Sequence, residues 1–179
     1  MFGYVVWLLL ALLVFWAIGA YNRLMRLRGA IAKAFAALDE HLTRRAAICD
    51  QLCELMRPLL PTEQSTFDTL AAAQSEAQLL AAQVRAKPYA ADPVASLAVA
   101  AAVHAAALTR LKSLLEHHAE LREHAELYGL QDELKMVERQ RDFNRQVFNQ
   151  AVKQYNEAVR EFPTRLLTGF YGFTEARSL

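Results

Sequence analysis

One uninterrupted stretch, residues 2–57, constrains the fold of this chain more than any other feature. Its first nineteen positions, 2–20, carry no charge, and the sequence then changes abruptly to an amphipathic pattern at Tyr21-Asn22-Arg23. No proline occurs before Pro58, so nothing in the sequence breaks a helix between the two parts. The pattern predicts one long helix that starts as an apolar segment and continues, without a linker, into a helical domain.

Residues 2–20 have the length and composition of a membrane-spanning helix. At about 1.5 Å per residue they extend about 28 Å, close to the thickness of the hydrocarbon core of a bilayer. A cleaved signal peptide is the alternative, with Ala17-Ile18-Gly19 as a small-residue cleavage site, although no Lys or Arg precedes the apolar run. We expect a retained single-pass transmembrane anchor.

The residues that flank the anchor predict its orientation. Three arginines and Lys33 precede the first acid, Asp39, whereas the N-terminal flank carries no basic side chain. By the positive-inside rule the C-terminal domain lies in the cytoplasm and the N-terminus lies outside. The anchor-flanking group that we expect at the membrane surface comprises Tyr21, Arg23, Arg26 and Arg28.

The rest of the composition indicates an all-α domain. Alanine supplies much of the 54% hydrophobic content, glycine and proline are few, and the net charge of +1 does not suggest a nucleic-acid partner. Apolar residues recur at steps of three and four from Leu24 to Met56 and again from Leu127 to Phe162, the seam of a helical bundle or coiled coil. Two shorter helices are predicted between them, the second helix after an N-cap at Thr62 and the third from Val94 after an N-cap at Asp92.

These elements predict an N-terminal transmembrane helix that is continuous with a long antiparallel four-helix bundle. The expected organisation is an anchor over residues 1–20, the bundle over 21–162 and a C-terminal Leu/aromatic tail over 163–179. An up-down-up-down order returns the fourth helix to the membrane. The tail then touches the bilayer surface or, alternatively, plugs the end of the bundle; the residues concerned are Phe162, Pro163, Leu166, Leu167, Phe170, Tyr171 and Phe173.

Polar residues interrupt both long seams at their middle. Arg45 interrupts the first seam, and Arg141 and Asn144 interrupt the second. In an antiparallel pairing these positions fall at a similar level, so we expect a buried structural polar layer in which an acid, Asp39 or Glu138, pairs with an arginine. Such a layer more often determines helix register than performs chemistry.

Two further groups of residues invite a chemical interpretation. Cys49 and Cys53 lie one turn apart on the first helix and are expected to be small core residues, with a redox pair or part of a metal site as the alternative. His117, His118, Glu120 and His124 form a polar corner between the third and fourth helices, which we interpret as solvated because no further ligand completes a metal site.

Several motifs resemble the LemA family of bacterial proteins. They are Tyr21-Asn22-Arg23-Leu24-Met25-Arg26-Leu27-Arg28, Leu38-Asp39…Leu42-Thr43-Arg44-Arg45, Leu130-Gln131-Asp132-Glu133-Leu134, Phe148-Asn149, Tyr155-Asn156, and Phe162-Pro163…Leu166-Leu167…Gly169…Tyr171-Gly172-Phe173. The resemblance implies a membrane-anchored, long antiparallel helical bundle in the bacterial inner membrane, of poorly defined biochemical role; a related member is linked to magnetosome membranes. The bundle lies in the cytoplasm or, alternatively, in the periplasm.

No catalytic constellation accompanies this architecture. The sequence contains no glycine-rich phosphate loop, nucleophile elbow or metal signature. We therefore expect a non-enzymatic, membrane-anchored helical scaffold or interaction protein that needs no cofactor and binds protein partners or itself, with no nucleic acid and no small-molecule substrate. The alternatives are a sensor or ligand-binding bundle with a cavity around the polar layer and, more remotely, a metal-dependent hydrolase.

Overall fold

The structure, a computed structural model, describes residues 2–118, 121 and 123–179 and is 87% helical. The described residues contain no β-strand, which confirms the all-α expectation. The helices, numbered in chain order, are α1 (Phe2–Met56), a 3₁₀ turn (Pro61–Glu63), α2 (Gln64–Ala86), α3 (Ala91–His117), α4 (Ala125–Arg160) and α5 (Arg165–Tyr171).

Helix α1 is the continuous helix that the absence of proline predicts. It ends at Met56, where Arg57 donates a last backbone hydrogen bond to the Cys53 carbonyl and Pro58 follows. The side chains of its first third are almost all exposed, whereas the seam after Tyr21 is buried at Leu24, Ile31, Phe35, Leu38, Cys49, Leu52 and Met56. The helix therefore changes surroundings along its length without changing its backbone.

Three predicted helix ends are wrong by a few residues. The 3₁₀ turn includes Thr62, so Glu63 rather than Thr62 is the N-cap of α2. Helix α3 begins at Ala91, which leaves Asp92 in its first turn, where a carboxylate favours the positive end of the helix dipole. Helix α4 ends at Arg160, so Phe162 lies beyond the seam instead of completing it.

The helices pack in two pairs, α1 on α4 and α2 on α3. Ion pairs show the direction of the first pair, because Arg23 contacts Glu161 near one end and Arg44 contacts Glu133 further along. Residue numbers that rise on α1 therefore meet numbers that fall on α4, and the two helices run antiparallel.

The core divides into two hydrophobic clusters. One contains Phe35, Phe148 and Tyr155, and the other contains Phe67 and Leu134. On each of the four long helices a polar residue lies between the stretches that enter the two clusters: Arg45 on α1, Gln74 on α2, His104 on α3 and Arg141 on α4. A polar layer thus crosses the core between the two hydrophobic clusters.

Candidate functional site

Arg45 is the most deeply buried charged residue of the polar layer. Its exposed fraction is 3%, and its Nε and Nη1 atoms have no hydrogen-bond partner in the described part of the chain. Burial, and then the nearby charge of Arg141, lower the pKa of Arg45 to about 10. Arg141 itself is half-buried; its Nη2 atom donates to Asp142, and its Nε atom is buried without a partner among the described residues.

His104 joins this layer from α3, although the sequence analysis did not select it. Its exposed fraction is 2%, and neither ring nitrogen has a hydrogen-bond partner within the described chain. Burial and the charges of Arg45 and Arg141 lower the pKa of His104 to about 4, so the ring is neutral at pH 7. The spacing of His104 in the sequence could have identified it as a core residue. His104 follows Leu97 by seven residues and precedes Leu108 by four, which places it on the buried face of α3.

The structure does not bring the two predicted acids to the seam arginines. Asp39 accepts two hydrogen bonds from Arg85 of α2, and Glu138 pairs with Lys112 of α3. The Asn144 side chain donates to the Gln140 carbonyl of its own helix. Each predicted acid therefore bridges α1 or α4 to a neighbouring helix, and no carboxylate of the described residues forms an ion pair with Arg45.

A small cavity of about 50 Å³ opens beside the layer, between α1, α2 and α3. Arg45 and His104 contribute to its lining, as does Gln74. Gln74 donates to Asp50, while its carbonyl oxygen is buried and lacks a partner in the residues described. Three residues that carry unpaired buried polar atoms thus lie around one cavity.

A second cluster of predicted residues surrounds Arg28 at the other end of the helical domain. The Arg28 guanidinium lies 4.2 Å from the ring centre of Phe173 and 4.4 Å from that of Tyr89, and its Nε atom donates to the Tyr155 hydroxyl. Cations above aromatic faces are stabilised by the ring quadrupole. Tyr21 packs against Tyr171 and Phe173, whereas Arg26 is exposed.

The last residues of the chain dock onto α4 through two asparagines. Asn156 donates to the Ala176 carbonyl and accepts from its N–H, and Asn149 forms the same pair of bonds with Leu179, at distances from 2.7 to 2.9 Å. The asparagines are seven residues apart and therefore share a helix face. Phe173 and Ala176 enter the first core cluster, so this part of the tail packs on the helical domain.

The preceding helix α5 behaves differently from these last residues. Phe170 is 89% exposed and Phe162 is 81% exposed, and Leu166 is exposed as well. Pro163 and Leu167 are half-buried. Gly172, at φ +66°, ends α5 in the left-handed region that favours glycine and turns the chain back toward the core. The predicted tail residues thus divide into an exposed apolar group and a docked group.

The remaining candidates for chemistry are weakly reactive or only partly described. Burial raises the pKa of Cys49 to about 12 and that of Cys53 to about 11, which disfavours the nucleophilic thiolate. The Nδ1 atom of His117 donates a hydrogen bond to the Ser113 carbonyl, and Glu120 of the polar corner lies outside the described residues. Within the residues described, no group of three or more His, Cys, Asp or Glu side chains could hold a metal ion.

Among the residues that the structure describes, two helices are long and apolar enough to cross a membrane, by length and composition. The apolar window of α1 has a mean hydropathy of 2.2 and is 0% buried inside the protein, whereas that of α3 has a mean hydropathy of 1.6 and is 39% buried. Burial accounts for part of the apolar character of α3, since Val94, Leu97 and Leu108 lie in the core. The exposed apolar surface of α1 has no such explanation within the described chain.

Together these features define an all-α protein with an apolar N-terminal helix, a polar layer in its core and a docked C-terminus. The LemA family model matches residues 34–179, most of the chain, and the protein belongs to the LemA family. This match confirms the resemblance, although the motif at residues 21–28 lies outside the matched range. No curated protein matches the chain.

Proposed function

We propose that this LemA-family protein is a non-enzymatic, membrane-anchored scaffold that presents the outer face of α1 and α4 to other proteins, first of all to a second copy of itself. The observation that carries the proposal is an exposed groove of about 670 Å³ between α1 and α4. It lies on the same continuous helix as the apolar N-terminal segment.

The groove has one protruding side and one flat side. Phe143, which is 65% exposed, and Val147 project from α4, while Ala30, Ala34 and Ala37 line the opposite side on α1. Exposed aromatic side chains are costly in water and are common at protein interfaces. A second copy related by a two-fold axis would place its Phe143 against the alanine side, and the reverse, as an isologous contact requires.

The charge of the groove also fits self-association. Lys33 is its single charged lining residue, and glutamines supply most of the other polar groups. Two copies therefore meet without strong like-charge repulsion. Attachment to one membrane raises the local concentration of the two faces, so a modest contact area is sufficient for pairing.

The membrane assignment is part of the same proposal. Residues 2–20 form a retained single-pass anchor in the bacterial inner membrane. Helices α1–α4 form an antiparallel four-helix bundle whose apolar seams pack as in a coiled coil. The exposed residues Phe162, Leu166 and Phe170 lie at the end of the bundle next to the anchor, because the neighbouring Tyr171 contacts Tyr21. These three side chains rest on the bilayer surface. The basic residues after the anchor support a cytoplasmic bundle.

Photo-crosslinking tests the scaffold. A photoreactive phenylalanine at position 143 of the full-length protein, in its native membranes, is expected to give a covalent dimer. The photoreactive phenylalanine placed instead at position 76, an exposed position of α2, is the matched control and is expected to give little dimer. Recovery of monomer alone at both positions, with no crosslinked protein, would refute the scaffold proposal.

A reporter fused after Leu179 tests the orientation separately. An enzyme that is active only in the cytoplasm is expected to be active in this fusion, and one that is active only in the periplasm is expected to be silent. The opposite pattern would reverse the orientation and leave the dimer proposal standing. Release of a shortened soluble chain would instead show that residues 2–20 are a signal peptide.

A further inference from the structure

The end of the helical domain next to residues 2–20 exposes several large apolar side chains. Phe162, Leu166 and Phe170 are each more than half exposed, and Tyr171 beside them is exposed as well. Large apolar groups that stay exposed together mark surfaces that bind something.

Two contacts give the level of this surface along α1. Tyr171 packs on Tyr21 with ring centres 5.2 Å apart, and Glu161 pairs with Arg23 at 2.8 Å. Tyr21 and Arg23 are the first and third residues after residues 2–20, so both contacts lie within about 5 Å of the end of that segment. The headgroup layer of a bilayer is about 5–7 Å thick on each side of the hydrocarbon core. An anchor that spans the core therefore places this surface in the headgroup layer.

The same end of the protein carries positive charge that its own acids do not neutralise. Glu161 and Glu175 each pair with another arginine. Arg26 and Arg165 are exposed and form no ion pair with any residue that the structure describes. The backbone N–H of Arg165 donates to the Glu161 carbonyl, which fixes Arg165 at the headgroup level. Arg26 lies about 9 Å beyond the apolar segment, from where a long arginine side chain reaches back to that level.

Helix α5 is held in this position at both ends. It follows α4 directly at its first residue, and Phe173, just after its last turn, is buried beneath the Arg28 guanidinium at 4.2 Å. The hydrogen bonds between Asn156 and Ala176 fix the chain further on. A surface that is already ordered loses little conformational entropy when it binds.

We propose that this end of the helical domain is a binding surface for anionic phospholipids of the leaflet that it faces. Phe162, Leu166 and Phe170 enter the boundary between headgroups and acyl chains. Arg26 and Arg165 bind the phosphate of lipids with a net negative headgroup, to which arginine donates paired hydrogen bonds. The inference rests on the membrane anchor of the proposed function, and it is independent of whether copies pair through the groove.

Quenching of tryptophan fluorescence by brominated lipid tests the position of the surface. Phe170→Trp is made in a background with Trp7→Phe and Trp16→Phe, and the full-length protein is reconstituted in vesicles of phosphatidylcholine with brominated acyl chains. We expect strong quenching at position 170. Phe143→Trp in the same background is the matched control, since it replaces another exposed phenylalanine about 25 Å further along α4, and little quenching is expected there.

A second set of vesicles tests the choice of headgroup. All contain the same mixture of phosphatidylglycerol and phosphatidylcholine, and the bromine is carried by the first lipid in one sample and by the second, at the same mole fraction, in the other. At position 170 we expect brominated phosphatidylglycerol to quench more strongly, with an apparent preference of about fivefold. The double variant Arg26→Gln, Arg165→Gln is expected to lose this preference. Arg139→Gln, at an exposed arginine of α4 far from the anchor, is expected to keep it.

Each failure has its own signature. Quenching at position 170 no stronger than at position 143 would refute the docking of this surface on the bilayer. Equal quenching by the two brominated lipids, or a preference that survives in the double variant, would refute the anionic site at these arginines. The unmodified protein monitors the anchor, because Trp7 and Trp16 both lie in residues 2–20. Native tryptophans that brominated lipid does not quench would overturn the anchor and this inference together, whereas quenched native tryptophans confine a failure to the inference alone.

Discussion

The neutral, buried state of His104 makes the stability of this protein depend on pH. The folded state lowers the pKa of His104 from 6.5 to about 4, so the unfolded chain binds more protons between these values. Stability must therefore fall as pH decreases through this window and be fully present above it. The groups that face His104 are Arg45 of α1 and Arg141 of α4, with the Asp39–Arg85 ion pair lining the same cavity.

The size of the effect follows from the size of the pKa difference. One pKa unit corresponds to about 1.4 kcal/mol, so the complete difference is worth about 3 kcal/mol of unfolding free energy. Between about pH 7.5 and about pH 5 the expected loss is about 2 kcal/mol. The residue is almost fully buried, so solvent screening reduces this value little.

Urea unfolding of the full-length protein, followed by circular dichroism in a non-ionic detergent, measures this loss. The ionic strength is held constant across the pH series, because salt screens charge interactions. His104→Leu is expected to remove about 2 kcal/mol of the pH dependence. His117→Leu, which replaces an exposed histidine, is expected to keep it. Identical pH dependence in the wild type and in His104→Leu would refute the argument.

Two further predictions concern the tail and the cysteines. Asn156→Ala removes both hydrogen bonds to Ala176 and is expected to lower the unfolding free energy by about 1–3 kcal/mol in the same urea assay. Gln150→Ala, at an exposed position of α4, is the control and is expected to change the unfolding free energy little. Equal effects of the two variants would contradict the docking role of Asn156. The raised pKa values of Cys49 and Cys53 predict alkylation by iodoacetamide at least about 100-fold slower than that of the urea-unfolded chain. Mass spectrometry follows the reaction, and fast labelling of the native protein would show that the thiols are accessible and ionised.

Local sequence properties were sufficient to predict the main helices. The absence of proline before Pro58 and the seam from Leu24 to Met56 predict α1, and the structure contains it as one helix. The seam of α4 is buried at Leu134, Phe148 and Tyr155 as its spacing indicates. These features depend on backbone hydrogen bonds and on a period of 3.6 residues, which are properties of a few consecutive turns.

The sequence by itself determined which faces are apolar and that polar residues interrupt the seams, because helical periodicity converts spacing directly into a face. Only the tertiary structure decided the partners. The axial register between helices pairs Asp39 with Arg85 rather than with Arg45, and it brings His104 of α3 beside Arg45. It also docks Ala176 and Leu179 on Asn156 and Asn149. Register and docking depend on packing between residues far apart in the chain, and the spacing within one helix carries no information about the offset of its neighbour.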